Sequence, residues 1–304
     1  MICSYCRKEA LPTKEHIISK SLIELFPECN YTYRQDDMVS VFEAHPMIKD
    51  VCAVCNNEKL SELDQYVLEM VKRYFYKEYG PEQQIDVMYD YNLLSRFLMK
   101  TCYNSDRSFK LNSDWFRENR QYILGEENES KYSFSVFGGI AVNTSPLPAF
   151  FFDNKQLEVL NGTQLLAQGM LRYSDGIGRK VEVVKNAAVL NISIKHSSYV
   201  MRIGAGQFLL ILWNKNAEEK DIQIHEKLIE KVFPYSLYKE DNTSIKIRRC
   251  THAFNYHRIN LIDSYLGMEI ADSTKGFVQS PQLAGKKLGE DEWNKYVKNL
   301  REEK

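Results

Sequence analysis

The chain has 304 residues, of which 44% are hydrophobic and 27% are charged, and its formal net charge is −1. This is the balance of a globular protein with room for two ordinary domains or one large one. The near-neutral charge excludes a protein that holds nucleic acid by overall basicity, although a local basic groove would be enough to steer DNA.

The first residues predict neither a signal peptide nor a membrane anchor. Before any apolar stretch long enough for a signal peptide, the chain already has the charged residues Arg7, Lys8, Lys14 and Glu15. No run in the sequence approaches the roughly 18 apolar residues of a membrane span. We therefore expect a cytoplasmic protein with no membrane partner, in which the seven cysteines do not form a disulfide framework.

Two C-x-x-C pairs stand out, one in "MICSYC" and one in "DVCAVCNNEKLSELD". Together they supply four thiolates, which suits a closed, tetrahedral structural zinc site. The predicted zinc ligands are Cys3, Cys6, Cys52 and Cys55. The 45 residues between the pairs exceed the spacing of a simple zinc ribbon, so a folded element must fit there. Cys29 and His45 lie in this insert as isolated alternative ligands.

A zinc ion with four thiolate ligands has no open position, so chemistry would need a second cation held by oxygen and nitrogen atoms. This directs attention to Glu15, His16 and Asn56. A neutral histidine can take a proton from water near physiological pH, and Mg²⁺ binds through few protein oxygens. The alternative is that Glu15 and His16 form an ordinary solvated pair. Asn57 is also a natural helix N-cap.

The order C-x-x-C, "EHII", C-x-x-C-N resembles the HNH (His-Me finger, ββα-metal) endonucleases of the four-cysteine zinc subclass. The likeness covers residues 3 to about 64. It implies that His16 is the general base and that Glu15 and Asn56 hold a catalytic Mg²⁺ or Mn²⁺ on the scissile phosphate. Three positions depart from the commonest pattern: Glu15 replaces an aspartate, Ser19 a proline and Asn56 a histidine.

Hydrophobic periodicity predicts helices over 57–78, 91–104, 113–123, 222–232 and 289–303. An alternating pattern predicts a strand over 38–43, which would complete a strand, strand, helix unit around the metal. Strand-like segments follow after residue 130, in "KYSFSVFGGIAV", "PAFFF", "RKVEVV", "AAVLNISI", "SYVMRI" and "GQFLLILW".

Four cations near the motif have two interpretations. Arg96, Lys100 and Arg107 form either a phosphate-contacting edge or the solvated face of a helix, and the solvated face is the default. Lys59 has the same two alternatives.

These patterns predict an α+β protein in three parts. Residues 1–79 would form the zinc-stapled ββα-metal (HNH) domain and 80–128 a helical connector. Residues 129–304 would form a β-rich domain for recognition, sensing or dimerisation.

The leading hypothesis is a metal-dependent endonuclease that hydrolyses DNA, in a context such as restriction or anti-phage defence. It could act as a homodimer or under a signal received by residues 129–304. The alternative is a non-catalytic zinc module that binds nucleic acid or a protein partner. A zinc deaminase is excluded because the chain lacks the H-x-E and P-C-x-x-C motifs.

Overall fold

The computed structural model describes residues 1–25, 31–35, 39–43, 47–77, 79, 82–108, 110–141, 167–173, 196–250 and 286–288. Helices and strands are mixed along this part of the chain. Among the helices described, none combines the length and the apolar character needed to cross a membrane.

The N-terminal region is built on a two-stranded antiparallel sheet. We call this sheet the hairpin, although other elements lie between its two strands in the chain. Strand β1 is Pro12–His16 and strand β4 is Met47–Cys52, and they pair antiparallel with His16 opposite Met47. The register is irregular between Thr13 and Glu15. The chain between the two strands carries helix α1, Lys20–Leu25, and strands β2, Tyr31–Gln35, and β3, Val39–Glu43.

The strand predicted at 38–43 is therefore present as β3, but its predicted place beside β1 is wrong. It pairs with β2 and with β12, Lys286–Leu288, in a separate sheet. The strand that does pair with β1 is β4, whose sequence does not alternate regularly between apolar and polar residues. The irregular register changes which residues of β4 face inward, and the strand runs into the second cysteine pair.

One helical segment follows the second cysteine pair. It begins with wide π-helical turns at Cys55–Leu60, continues as α2 over Ser61–Met70, and ends with a second π-helical stretch at Val71–Phe75. The predicted helix over 57–78 is confirmed with shifted ends. The proposed N-cap role of Asn57 is wrong, because this residue lies inside the first turn, where its carbonyl accepts a hydrogen bond from Ser61.

Helix α3, Tyr91–Ser108, is the central helix of the fold. Every residue from Phe97 to Asp106 is buried, so the helix is enclosed on all sides rather than half-exposed. It confirms and extends the helix predicted at 91–104. The helix predicted at 113–123 is divided into α4, Asp114–Glu118, and α5, Arg120–Ile123. At the break between them, the Asn119 side chain accepts a hydrogen bond from the backbone of Lys131.

The second half contains a five-stranded antiparallel sheet in the order β10-β6-β9-β8-β7. Its strands are β6 Phe134–Ile140, β7 Ala167–Tyr173, β8 His196–Gly204, β9 Gly206–Trp213 and β10 Ser236–Leu237. All eight residues of β9 are buried, so this strand is covered on both faces. A continuous apolar run such as "GQFLLILW" is typical of a strand in that position.

The two faces of the sheet pack against different partners. One face, with Tyr199, Phe208 and Leu210, joins the core that contains α2, α3 and the N-terminal cysteines. The other, with Leu209 and Trp213, packs on helix α6, Glu219–Val232. Helix α6 confirms the helix predicted at 222–232.

A third small sheet links the middle of the chain to its second half. Strand β5, Gln84–Met88, pairs with β11, Ser244–Arg248. The larger hydrophobic core extends from Cys3 to Ile247 and so crosses the boundaries predicted near residues 79 and 128. Those boundaries stay predictions. The strands predicted at 148–152, 179–184 and 187–194 and the helix at 289–303 lie outside the described residues.

A buried hydrogen bond between α3 and the sheet gives a test of this packing. The Tyr199 hydroxyl donates to Asp106 Oδ2 at 2.8 Å. We expect Tyr199→Phe to lower the free energy of unfolding by about 1–3 kcal/mol, because a buried carboxylate loses a donor. Chemical denaturation measures the loss. Tyr132→Phe, at a partly exposed tyrosine, is the control, and equal losses in both variants would contradict the packing described.

Candidate functional site

The four predicted zinc ligands come together. The Sγ atoms of all four cysteines lie within 4.8 Å of one another, and those of Cys6 and Cys52 are 3.8 Å apart. A tetrahedron of sulfur atoms with zinc–sulfur bonds near 2.3 Å has edges of about 3.8 Å. The cluster can therefore hold a metal such as zinc. The alternative ligands Cys29 and His45 lie outside the described residues.

The backbone around the first cysteine pair is folded to present its sulfur atoms. Cys3 accepts a hydrogen bond from Arg7 N, and Arg7 adopts a left-handed conformation with φ of 64°. The two cysteine pairs are also joined through the backbone, since Ser4 N donates to Asp50 O at 2.9 Å and Cys52 N to Cys3 Sγ at 3.4 Å. The cluster thus links the start of the chain to the end of β4.

The sulfur atoms have different proton affinities in the metal-free cluster. Burial raises the pKa of the Cys3 thiol, but hydrogen bonds from the backbone of Cys52, Cys6 and Tyr5 outweigh it and bring the pKa down to about 7. Burial and the neighbouring sulfur atoms raise the pKa of Cys55. A bound cation would displace the remaining thiol protons, so metal binding should release protons and weaken in acid.

Glu15 and His16 lie at the end of β1 and face opposite sides of the hairpin. Glu15 is buried, with 4% of its surface exposed, whereas His16 is half-buried. This is the alternation expected of neighbouring residues on a strand. The two predicted catalytic groups are adjacent in sequence, but the strand directs Glu15 into the core.

The Glu15 carboxylate meets a buried lysine. Lys100 Nζ lies 2.9 Å from Glu15 Oε1, and 2.6 and 2.7 Å from the two carboxylate oxygens of Asp64. The Lys100 side chain is only 1% exposed. Burial opposes its charge, but the two carboxylates outweigh burial and raise the pKa of Lys100 above its usual value. Lys100 is therefore a buried ammonium ion.

The next polar residue along α3, Asn104, also reaches β1. Its Nδ2 atom donates to Glu15 Oε1 at 3.1 Å and to the His16 carbonyl at 3.2 Å. Its Oδ1 atom accepts from the Tyr5 hydroxyl at 2.7 Å and from Arg107 Nη2 at 2.9 Å. The buried amide thus has partners on both sides, and it connects the first cysteine pair to the end of β1.

Arg107 completes this set of contacts from α3. Its guanidinium donates to both carboxylate oxygens of Asp50, at 2.8 and 3.3 Å, and lies 3.9 Å from the centre of the Tyr103 ring. A two-point arginine–carboxylate pair fixes orientation as well as distance. Strand β4 is therefore held to the same helix as β1.

Asn56 joins the start of the helical segment to β1. Its Nδ2 atom donates to Thr13 Oγ1 at 2.9 Å and to the Lys14 carbonyl at 3.0 Å. A carbonyl only accepts, so the nitrogen must face the strand. Within the part of the chain that the structure describes, both hydrogen bonds of this side chain use the amide nitrogen, which leaves the Asn56 Oδ1 oxygen for another partner.

The predicted cationic edge has a different role from either alternative. Lys100 is paired in the interior, and the guanidinium of Arg107 is largely covered and paired with Asp50, a partly exposed residue of β4. Arg96 is half-buried and donates to the Ile123 carbonyl. Lys59 forms an ion pair with Glu126 on the surface.

None of the protein-family models, curated proteins and solved structures compared with this chain matches it. The likeness to HNH endonucleases therefore rests on the motif residues themselves.

Sequence reasoning missed Asn104 and Asp64 as site residues, and it named Lys100 only as a surface or phosphate-contacting cation. A signal was present, because Phe97, Lys100 and Asn104 follow one another at the spacing of one helix face. Polar residues on the apolar face of a helix need buried partners. Finding which partners requires the fold, since Glu15 and Lys100 are far apart in sequence.

The cysteine cluster predicts about one zinc ion per chain, measurable by elemental analysis of the purified protein. Cys55→Ser should lose the zinc and lower stability, because a ligand is missing. Cys250→Ala is a control, since this cysteine is buried outside the cluster and should keep the zinc. A wild-type protein that folds without metal would contradict the assignment.

Removing the buried ammonium should be costly. Lys100→Met leaves the Glu15 carboxylate buried without its cation, and we expect a loss of about 3–5 kcal/mol in unfolding free energy. Denaturation of the zinc-loaded protein measures it. Lys59→Met, which breaks a surface ion pair, should cost much less. Similar losses in the two variants would show that Lys100 is not a buried charge.

Proposed function

We propose that the chain is a metal-dependent endonuclease that hydrolyses DNA phosphodiester bonds with His16 as general base. The observation that carries the proposal is the placement of His16. It stands half-buried at the end of a strand, in a hairpin that the cysteine cluster joins to a following helix. The motif order that resembles HNH endonucleases lies on these same elements.

Asn56, which contacts the strand that carries His16, also supports the proposal. It begins the helical segment, bonds β1 through its nitrogen, and keeps its Oδ1 oxygen available. Amide oxygens suit Mg²⁺ or Mn²⁺, which bind with few protein ligands and complete their shell with water and phosphate oxygens. When bound, such a cation stabilises the negative charge that develops on the phosphate.

The protein's own contribution is proton transfer. The neutral His16 imidazole removes a proton from a water molecule, which attacks the phosphorus atom as hydroxide. The phosphorus–oxygen ester bond on the far side breaks, and the departing oxygen takes a proton from solvent. Zinc in the cysteine cluster takes no part in these steps, because its four thiolate ligands leave no open position.

Local charge supports a polyanionic substrate. Lys14 and Lys49 are exposed on β1 and β4, close in sequence to His16 and Met47 at the end of the hairpin. Two cations on one hairpin give a local positive region in a chain with a net charge of −1. Phosphate contacts of this kind provide affinity without sequence preference.

The test is cleavage of supercoiled plasmid in Mg²⁺ or Mn²⁺ by the zinc-loaded protein. We expect the wild type to convert the plasmid to nicked or linear forms and His16→Ala to lose about 100-fold or more of that activity. His16→Ala should keep its zinc and its fold. Equal cleavage by both proteins would contradict the role of His16, and no cleavage by either would contradict the proposed function.

The second candidate function is a zinc module without catalysis that binds nucleic acid or a protein partner. The observation in its favour is the Glu15–Lys100 ion pair, because it occupies the carboxylate that the motif assigns to the catalytic cation. Ile2, Leu11 and Val54 are also exposed around the cysteine pairs, as expected of a contact surface. Binding of duplex DNA without cleavage would favour this function.

A further inference from the structure

The contacts of Glu15 raise a question about its role. Its carboxylate lies against two residues of α3, with Lys100 Nζ at 2.9 Å and Asn104 Nδ2 at 3.1 Å. A carboxylate that binds Mg²⁺ in a working site needs access to water and to the substrate phosphate. The Glu15 side chain is only 5% exposed, so the strand directs it away from both.

The same helix also holds the neighbouring residue. Asn104 Nδ2 donates to Glu15 Oε1 and, at 3.2 Å, to the backbone carbonyl of His16. The end of β1 is thus held by two adjacent points, one on a side chain and one on the backbone. Asn104 itself is fixed by the Tyr5 hydroxyl and by Arg107.

We infer that the Lys100 ammonium takes the place of a metal cation at Glu15. We infer further that Lys100 and Asn104, which we call the clamp, set the register of β1 and so position His16. The inference rests on the proposed function, in which His16 is the base. Glu15 is then a positioning residue. The divalent cation is held without it, by Asn56 together with phosphate oxygens and water.

Strand geometry explains why a clamp is needed. Successive side chains of a strand face opposite sides, so a slip of one residue would turn His16 inward and Glu15 outward. The pairing of β1 with β4 shifts between Thr13 and Glu15, so contacts beyond the backbone ladder help to define which way Glu15 and His16 face. A slipped strand would take Glu15 away from the buried Lys100 ammonium and leave the ammonium with Asp64 alone among the carboxylates described, which is unfavourable. The ion pair therefore selects one register.

The first experiment measures how accessible the His16 imidazole is to a chemical reagent, and it does not require that the protein cleave DNA. Zinc-loaded full chain is treated with diethyl pyrocarbonate, and peptide mass spectrometry gives the modification rate of each histidine. We expect Asn104→Ala to change the His16 rate by about fivefold, the equivalent of one lost hydrogen bond. His196 and His225 on the distant half of the fold are internal references and should keep their rates.

Thr101→Val is the matched control on the same helix. It removes a buried hydroxyl that has no hydrogen-bond partner among the described residues, so it disturbs α3 without touching β1. We expect no change at His16. An unchanged His16 rate in Asn104→Ala, or equal changes at all three histidines, would overturn the clamp.

The second experiment separates positioning from metal binding. Glu15→Gln/Lys100→Met removes both buried charges together, which a core often tolerates when removal of one does not. Asp64, the other partner of Lys100, has a side chain that is 23% exposed and so keeps access to water. Because the charged pair positions His16, we expect the double variant to cleave plasmid about tenfold more slowly than wild type and to need the same Mn²⁺ concentration. Asn56→Ala should instead raise the Mn²⁺ requirement.

The outcomes keep the two proposals apart. If the folded double variant needs much more Mn²⁺ than wild type, Glu15 is a metal ligand and the inference is overturned. If it cleaves as fast as wild type, the charged pair does not position His16, which overturns the inference as well. If the wild type cleaves no DNA, the proposed function fails, and the His16 modification rates alone then decide whether the clamp exists. A double variant that does not fold shows that the charged pair cannot be replaced, and the Asn104→Ala comparison decides.

Discussion

Lys100 carries a positive charge into the interior, where its side chain is 1% exposed. Such a charge is tolerated only when carboxylates meet it at short distance, and the chain supplies them from two places, Glu15 on β1 and Asp64 on α2. The three elements can therefore come together in one way. The hairpin that presents His16 takes its position on the helices from this requirement.

The cysteine cluster and α3 restrain different parts of the same hairpin. The cluster links the start of the chain to the end of β4, close to Pro12, which pairs with Cys52. Helix α3 holds the other end, through Asn104 at His16. A metal that binds the thiolates would add to a frame that polar contacts already define. Binding energy at such a cluster becomes folding energy, because the unfolded chain has no site.

Glu15 shows how a motif and a fold can assign different roles to one residue. The order of residues suggests a metal ligand, since the likeness to HNH endonucleases places an acidic group before the base. The structure gives Glu15 two partners on α3 and little access to solvent. Lys100 neutralises the carboxylate internally. In the proposed function, the solvent side of the site is therefore left to His16, to the Asn56 oxygen and to substrate phosphates.

The sequence by itself determined the local features of this protein. Cysteine spacing predicted the four cysteines that come together, helical periodicity located α2, α3 and α6, and the apolar run of β9 predicted a strand. Only the tertiary structure decided that β4 and not β3 pairs with β1, and that Lys100 lies inside. Register and ion pairing join residues far apart in sequence, such as Glu15 and Lys100. Periodicity carries no information on such pairs, because it reports which face of an element is apolar and not what that face meets.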